Sequence, residues 1–122
     1  MNRAEWNQWI FEQFDVEAEY PWIKYPTYAV YRHRGNRKWF AVIMELPTEK
    51  LGLAEGGRVD AVNLKCDPLL IGGLLQEEGI HRGYHMNKDY WITVRLDGSV
   101  AAERIKGLLE LSFDLTKSGT KR

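Results

Sequence analysis

The sequence lacks the features that mark several large classes of protein. It has a single cysteine, Cys66, which excludes an internal disulfide and removes any argument for an oxidising compartment. No apolar stretch approaches the roughly 20 residues that a membrane-spanning helix needs, so no membrane association is expected. The N-terminal residues carry charge where a signal peptide needs a continuous apolar run. We therefore expect a cytoplasmic protein.

The chain also lacks net charge, and this absence bears on function. Its 17 basic and 17 acidic residues cancel, whereas a protein that binds mainly through phosphate contacts usually has a basic excess. The charges are segregated along the chain, however. Residues 1–19 carry one arginine and five acids, while residues 20–44 carry five basic residues and no acid. This segregation allows a basic face despite the neutral total.

Apolar and aromatic residues, by contrast, are abundant. Hydrophobic residues make up 44% of the 122 residues, with five Trp, six Tyr and four Phe. A chain of this size and composition can bury a core without disulfides or metal. We predict a single domain over residues 1–122, with a frayed basic tail over residues 117–122, that behaves as a monomer or weak dimer.

Capping residues and hydrophobic spacing predict three helices. Asn2 and Glu5 have capping-box spacing before an apolar stripe, and Pro21 and Pro26 are expected to end that first helix. Asp67-Pro68 predicts the start of a second helix, which Gly79 would end. Within it, the Gly72-Gly73 pair would allow close packing on a sheet. A third helix is predicted over residues 100–116, capped by Ser99.

Runs of β-branched and aromatic residues predict the strands, over residues 28–33, 38–46, 58–66 and 90–96, with a short extended piece at 84–86. A two-residue turn at Gly35-Asn36 would place Arg32 opposite Trp39 and Arg34 opposite Arg37. Alternation would then put Tyr28, Val30, Arg32, Arg34, Arg37, Trp39 and Ala41 on one face. The element order α-β-β-β-α-β-β-α predicts an α+β fold, a two-layer α/β sandwich with an antiparallel sheet.

Histidine, cysteine and carboxylate residues do not form a convincing catalytic or metal site. His81 and His85 are four residues apart, but the glycines around them argue against the helix that this spacing requires. Cys66 precedes a helix start, which can lower a thiol pKa, although a buried core cysteine is the favoured interpretation. No paired carboxylates suit acid–base chemistry. We expect no metal, no cofactor and no catalytic activity.

The first candidate binding site is the hairpin between the first two strands. Its basic residues alternate with aromatic ones, which could grip phosphates and stack on a base or sugar. A solvated tip, whose charges discourage aggregation, is the alternative. The residues concerned are Arg32, Arg34, Arg37, Lys38 and Trp39.

The second candidate is the segment from Arg82 to Lys88, which precedes the strand that carries Trp91. It combines cations, aromatic rings, an amide and a flexible backbone, a mixture that suits an anionic or planar ligand. A packed loop that caps the core is an equally good interpretation.

Several sequence blocks, in order over nearly the whole chain, resemble one known family. The early blocks are Tyr20-Pro21-Trp22, Pro26-Thr27-Tyr28 and Lys38-Trp39-Phe40-Ala41. The central ones are Asn63-Leu64-Lys65-Cys66-Asp67-Pro68, Gly83-Tyr84-His85-Met86-Asn87-Lys88, and Trp91-Ile92-Thr93-Val94 with Asp97-Gly98. Leu111-Ser112-Phe113 closes the series, with Phe where the family has Tyr. Together these blocks resemble the hallmarks of the MmcQ/YjbR proteins.

The resemblance implies a compact two-layer α/β domain, similar in topology to secretion chaperones and often likened to the frataxin fold. Proteins of this family are usually described as DNA-binding, through hairpins called a double wing. We therefore expect a non-enzymatic DNA-binding protein. The hairpin residues Arg32, Arg34, Arg37 and Lys38 would contact phosphates, and a second surface would comprise Lys65, Arg82, His85, Lys88 and Trp91.

Two rival functions stay open at this point. A protein-binding adaptor would expose an apolar patch or a dimer face near Trp39 and Trp91. A small-anion-binding module would gather Lys65, His85 and Lys88 around one pocket.

Overall fold

The structure is a computed structural model, and residues 1–117 are described. The predicted basic tail therefore lies, except for Lys117, outside the described residues. The predicted order of three helices and five strands is confirmed. The helices are α1 (Arg3–Phe14), α2 (Pro68–Leu74) and α3 (Ala102–Thr116). The strands are β1 (Ala29–Arg32), β2 (Trp39–Pro47), β3 (Arg58–Lys65), β4 (Ile80–Arg82) and β5 (Trp91–Arg95), with a 3₁₀ turn at Thr48–Leu51.

The five strands form one antiparallel sheet in the order β1-β2-β3-β5-β4. All three helices pack on one face of this sheet, so the predicted two-layer α+β architecture is confirmed. The opposite face, here called the open face, carries a second apolar cluster. It consists of Val30, Val42, Met44, Leu46 and Ala61, with Trp22, Tyr28, Trp39, Leu51 and Tyr84 packed against them.

Helix α1 begins as predicted and ends earlier than predicted. The Asn2 side chain accepts from the Glu5 amide while the Glu5 carboxylate accepts from the Asn2 amide, so the capping box is present. The helix ends at Asp15, whose φ of 57° is left-handed and whose amide bonds the Phe11 carbonyl. Pro21 therefore does not terminate α1, but lies in the irregular segment that returns to the sheet through the Glu19–Val30 bridge.

The β1–β2 hairpin differs from the predicted two-residue turn. Four residues, 34–37, form the loop, which is closed by the His33 amide donating to the Lys38 carbonyl. The positive φ falls on Arg37 and not on Gly35, and the predicted Arg34–Arg37 pair lies within the loop. Arg32 does face Trp39, as predicted. A bulge beside it shifts the register, so Ala41 packs under the helices and not on the face of Trp39.

Helix α2 starts as predicted, with Asp67 accepting from the Leu69 amide and Pro68 in the first turn. It ends at Leu74, well before Gly79. The Gly72-Gly73 pair does not pack on the sheet, because a Cβ atom at either position would meet open space.

Gly79 instead makes the turn into β4 with a φ of 90°, and strand β4 replaces the extended piece expected at residues 84–86. Ser99 does not cap α3, which begins at Ala102. The amide and hydroxyl of Ser99 both donate to the Asp97 carboxylate in the preceding turn.

Two glycine substitutions, one beside Trp91 and one on the exposed side of α2, test how tightly the chain packs at these positions. A Cβ atom at Gly83 would lie 2.8 Å from the Trp91 Cβ and 2.9 Å from the Trp91 carbonyl oxygen, neither of which can move freely. We expect Gly83→Ala to lower the free energy of unfolding by about 1–3 kcal/mol, as overpacking does. Gly72→Ala, in open space on α2, should raise it by roughly 0.5–1 kcal/mol. Urea titrations measure both, and a neutral Gly83→Ala would contradict the geometry.

Candidate functional site

The arginines of the hairpin are paired with acids from the segment that follows α1. Arg32 and Arg37 lie 3.1 and 3.0 Å from the two carboxylate oxygens of Glu19. Arg34 lies 2.5 Å from the Asp15 carboxylate. The acidic and basic stretches of the sequence therefore neutralise each other in the fold. The Arg34 pair is about 70% exposed on both sides (72% and 73%), and such a pair contributes only about 0–1 kcal/mol.

The hairpin is anchored to the C-terminal end of α3. The Asn36 amide donates to the Thr116 carbonyl at 2.9 Å, and its side-chain oxygen accepts from the Lys38 backbone amide at 2.8 Å. His33 is buried, and its Nε2 lies 2.7 Å from the Thr116 hydroxyl. These contacts hold the residues on either side of Arg37 in place, so the hairpin is a fixed part of the fold.

Strands β2 and β3 stop pairing directly at Ala41 and Leu64. Beyond that pair the Ser112 hydroxyl accepts from the Lys65 amide at 2.9 Å and donates to the Phe40 carbonyl at 2.7 Å. A side chain from α3 thus replaces one rung of the ladder and satisfies both backbone groups. Lys65, whose backbone amide donates to this bridge, also lines a recess, together with Leu115 and Thr116 of α3.

That recess, the lysine recess, has a volume of about 250 Å³ and is lined by Lys38, Trp39, Lys65, Trp91, Leu115 and Thr116. It brings together four of the predicted site residues, Lys38 and Trp39 from the hairpin and Lys65 and Trp91 from the predicted second surface. The Lys65 ammonium lies 5.5 Å from the ring centroids of both Tyr90 and Trp91, within cation–π range. Trp91 itself is buried and forms the wall of the recess.

A second cavity, the aromatic pocket, lies on the open face and has a volume of about 200 Å³. It is lined by Trp22, Tyr25, Tyr28, Trp39, Val42, Met44, Asn63, Tyr84, His85 and Met86. The rings of Trp22 and Trp39 meet edge to face with centroids 5.5 Å apart, and those of Tyr25 and Tyr28 stack at 4.8 Å. Trp39 lines both cavities, so it separates the aromatic pocket from the lysine recess.

A buried polar relay holds one wall of the aromatic pocket. Asn63 in β3 donates from its side-chain amide to the Tyr84 carbonyl at 2.9 Å. The Thr93 hydroxyl in β5 accepts from the Tyr84 amide at 2.8 Å and donates to the Asn63 side-chain oxygen at 2.5 Å. Both backbone groups of Tyr84 are therefore fixed by the side chains of Asn63 and Thr93, which are fully buried.

Both cavities have basic side chains beside them, of which Arg32 is paired with Glu19 and Arg58 with Glu45 at 3.2 Å. Among the described residues that line them, no carboxylate is present. The Arg32 guanidinium lies 5.8 Å from the centroid of the Trp39 ring. Burial, reinforced by the neighbouring Tyr84 and Tyr25, raises the pKa of Tyr28, although Arg58 opposes this shift. Tyr28 is thus held as a neutral phenol that can donate a hydrogen bond.

The remaining predicted residues lie elsewhere. Arg82 and Lys88 line a third cavity beside α2, where the Lys88 ammonium donates to the Gly83 carbonyl at 2.9 Å. Lys65, His85 and Lys88, which the anion-binding alternative would gather around one pocket, thus line three different cavities.

Metal-ligating side chains do not gather in the part of the chain that the structure describes, where no group of three could hold an ion. His81 lies in β4, whereas His85 has a φ of 61° in the following loop. Burial raises the pKa of the Cys66 thiol, with a further contribution from Asp67, so this cysteine is not activated. Within residues 1–117, no helix has the length and apolarity to cross a bilayer.

Sequence reasoning identified Trp39, His85 and the segment around Tyr84, but it missed the residues that complete the aromatic pocket. Trp22, Tyr25 and Tyr28 lie within nine residues (20–28), and no sequence signal indicated that they line one pocket with Trp39. Asn63 and Thr93 belong to the blocks that resemble the MmcQ/YjbR proteins, but their contacts with Tyr84 were not foreseen, because the role of a polar residue in a strand depends on which residue faces it.

Comparison with known proteins agrees with this architecture. The sequence model of the YjbR family matches residues 12–115. This chain belongs to the YjbR family. The uncharacterised YjbR-family protein YyaQ of Bacillus subtilis is 44% identical over 108 residues, which cover 88% of this chain and 92% of YyaQ.

Two solved structures extend the comparison. A crystal structure of a Pseudomonas syringae protein is 45% identical, with a TM-score of 0.93 over 95% of this chain and 99% of that one. A Deinococcus radiodurans protein is 25% identical, with a TM-score of 0.74 over 100% of this chain and 84% of that one. The YjbR fold is therefore shared at both levels of similarity.

Several blocks typical of YjbR proteins have a structural role in this chain. Asn63 belongs to the polar relay, Asp67 caps α2, and Gly83 allows close approach to Trp91. Ser112 bridges the strands, while Phe113 stacks at 4.5 Å on Phe14 in the core.

The buried His33 and the half-buried His81 predict a dependence of stability on pH. Burial is the main cause that lowers the pKa of both His33 and His81, and nearby Lys38 and Arg95 respectively add to it. Because each folded pKa lies below the unfolded value of about 6.5, their contribution to stability is complete above that pH and is lost as the pH falls below it.

We therefore expect the free energy of unfolding to fall between pH 7 and pH 5 in urea titrations. The variant His33→Gln should show a shallower fall than the parent protein. A stability that is constant or rises towards pH 5 would contradict the burial of these side chains.

Proposed function

We propose that this protein binds single-stranded nucleic acid, without catalysing a reaction, through a surface centred on Trp39. One observation carries the proposal: Trp39 separates an aromatic pocket from a lysine recess, and both are free of lining carboxylates among the described residues. Proteins that bind single strands combine aromatic rings, on which bases stack, with cations that follow the backbone.

The division of roles follows from the chemistry of the two cavities. Lys38 and Lys65 supply charge for a phosphate, and the half-buried Trp39 presents a ring beside them. The exposed Arg34 and Arg37 lie on the same hairpin, and their weak ion pairs could exchange carboxylate for phosphate. A single strand fits better than a duplex, because rings in recesses reach only unstacked bases.

Binding is measured by fluorescence anisotropy with labelled single-stranded and duplex oligonucleotides at two salt concentrations. We expect tighter binding of the single strand and a steep loss with salt. Trp39→Ala should weaken binding by roughly 5- to 150-fold, the equivalent of about 1–3 kcal/mol for one stacked base. No binding of either oligonucleotide at low salt would overturn the proposal.

The chain offers a matched control for the tryptophan. Trp9 is also half-buried, meets Trp6 edge to face at 6.1 Å, and has the Lys106 ammonium 5.5 Å from its ring. It lies on α1, away from both cavities. Trp9→Ala should lose a comparable amount of packing but leave oligonucleotide binding unchanged. An equal loss of binding in both variants would indicate general destabilisation of the fold.

The same comparison applies to the cation. Lys65 and Lys106 each hold an ammonium 5.5 Å from a tryptophan ring, and only Lys65 lines the recess. Lys65→Gln should reduce the slope of log K against log salt by about 0.7, the value for one phosphate contact on a single strand. Lys106→Gln should leave that slope unchanged. Identical slopes for the two variants would remove Lys65 from the interface.

A protein partner is the second candidate, and the exposure of Ile23 favours it. Ile23 is 97% exposed, and it lies within six residues of two other exposed apolar side chains, Tyr20 and Tyr25, of which Tyr25 lines the aromatic pocket. Several exposed apolar residues in one short segment are typical of a surface that another protein covers. Partner-dependent protection of the Ile23 methyl groups in NMR, without any response to oligonucleotides, would favour this function over nucleic-acid binding.

A further inference from the structure

We infer that the aromatic pocket is a preformed site for a single unpaired nucleobase, which it binds even when the base is not part of a polymer. This inference rests on the proposed function and names the group that the Trp39 surface recognises.

The size and enclosure of the pocket limit the ligand. Its floor comes from Val42, Met44 and Asn63 on the sheet, and its walls come from two separate loops, residues 20–28 and 83–90. Its volume of about 200 Å³ is smaller than the roughly 300–1,000 Å³ of pockets for drug-sized ligands. One heterocyclic base fits this space better than a whole dinucleotide does.

The electrostatics select a neutral or anionic ring over a cation. Cages of aromatic rings often bind ammonium groups, but such a site gains little where no negative charge is left over to offset a bound cation. Here Arg32 lies 5.8 Å from the centroid of the Trp39 ring, and its partner Glu19 is shared with Arg37, so one carboxylate serves two guanidinium groups. Glu45 is likewise paired with Arg58 at 3.2 Å. The described residues of the lining include no carboxylate that would balance a bound cation.

The polar relay shows that the pocket is built before a ligand arrives. Burying an amide and a hydroxyl in the centre of a sheet is costly unless both are hydrogen-bonded. In this protein Asn63 and Thr93 meet that condition by fixing both backbone groups of Tyr84, whose ring forms one wall. Tyr84 is therefore held in place without having to order on binding, which lowers the entropic cost of recognition.

The test uses adenosine and thymidine as isolated nucleosides, added at millimolar concentration to isotope-labelled protein. We expect shifts of the indole N–H signals of Trp22 and Trp39 and of the Tyr84 amide, with the Trp6 and Trp9 indoles unchanged. Tyr84→Ala should weaken nucleoside binding by roughly fivefold or more, as loss of a stacking partner does. Its control is Tyr20→Ala, since Tyr20 is 58% exposed and lies outside the pocket.

The relay has its own variant, Thr93→Val, which keeps the shape of the side chain and removes the hydroxyl. Thr93 is a positioning residue, so we expect weaker nucleoside binding together with a shifted Tyr84 amide signal, while the indole signals of the helical face stay in place. If Thr93→Val unfolds the protein, Tyr84→Ala still decides the question, because it leaves the relay atoms intact.

The outcomes separate this inference from the proposed function. Oligonucleotide binding without any nucleoside response in the pocket would overturn the inference and leave the proposed function standing. Preferential binding of tetramethylammonium over both nucleosides would overturn the assignment of ligand class. The absence of binding to both nucleosides and oligonucleotides would overturn both proposals.

Discussion

The hydroxyl of Ser112 stands between two neighbouring strands and takes the place of a direct backbone contact. It satisfies the Lys65 amide and the Phe40 carbonyl, which would otherwise be buried without partners at a cost of about 1–3 kcal/mol each. With β2 and β3 held apart there, and a bulge on the other side of β2, Trp39 lies on the open face while Phe40 packs under the helices. The lysine recess follows from this arrangement.

Charge is the second constraint. The acids at residues 15–19 lie against the arginines of the hairpin, so the charges of the hairpin are largely balanced within the fold. Such exposed pairs contribute little stability, but they lower the positive potential that a hairpin of this composition would otherwise present. We therefore place the proposed binding surface at the base of the hairpin and not at its tip, because Lys38 and Lys65 there line a recess without carboxylates among the described residues.

Local signals in the sequence predicted much of the fold. The Asn2 capping box and the Asp67-Pro68 start depend only on neighbouring residues, and both are present. The predicted end of α1 was wrong because the left-handed Asp15 has no sequence signature as strong as proline. The predicted face of Ala41 was wrong because a bulge changes the strand register without changing the composition. At the site, the sequence indicated the lysine and tryptophan residues of the recess, but it did not predict that they lie together in one cavity. The aromatic pocket and its relay depend on pairings across strands that are distant in sequence.

Photo-crosslinking can show whether bases contact the Trp39 surface. A single-stranded oligonucleotide that carries 5-bromodeoxyuridine is bound at low salt and irradiated, and the linked peptide is identified by mass spectrometry. We expect crosslinks to Trp39 or to rings of the aromatic pocket, lost in Trp39→Ala and retained in Trp9→Ala. Crosslinks confined to the hairpin tip or to the helical face of the sheet would contradict the proposed function.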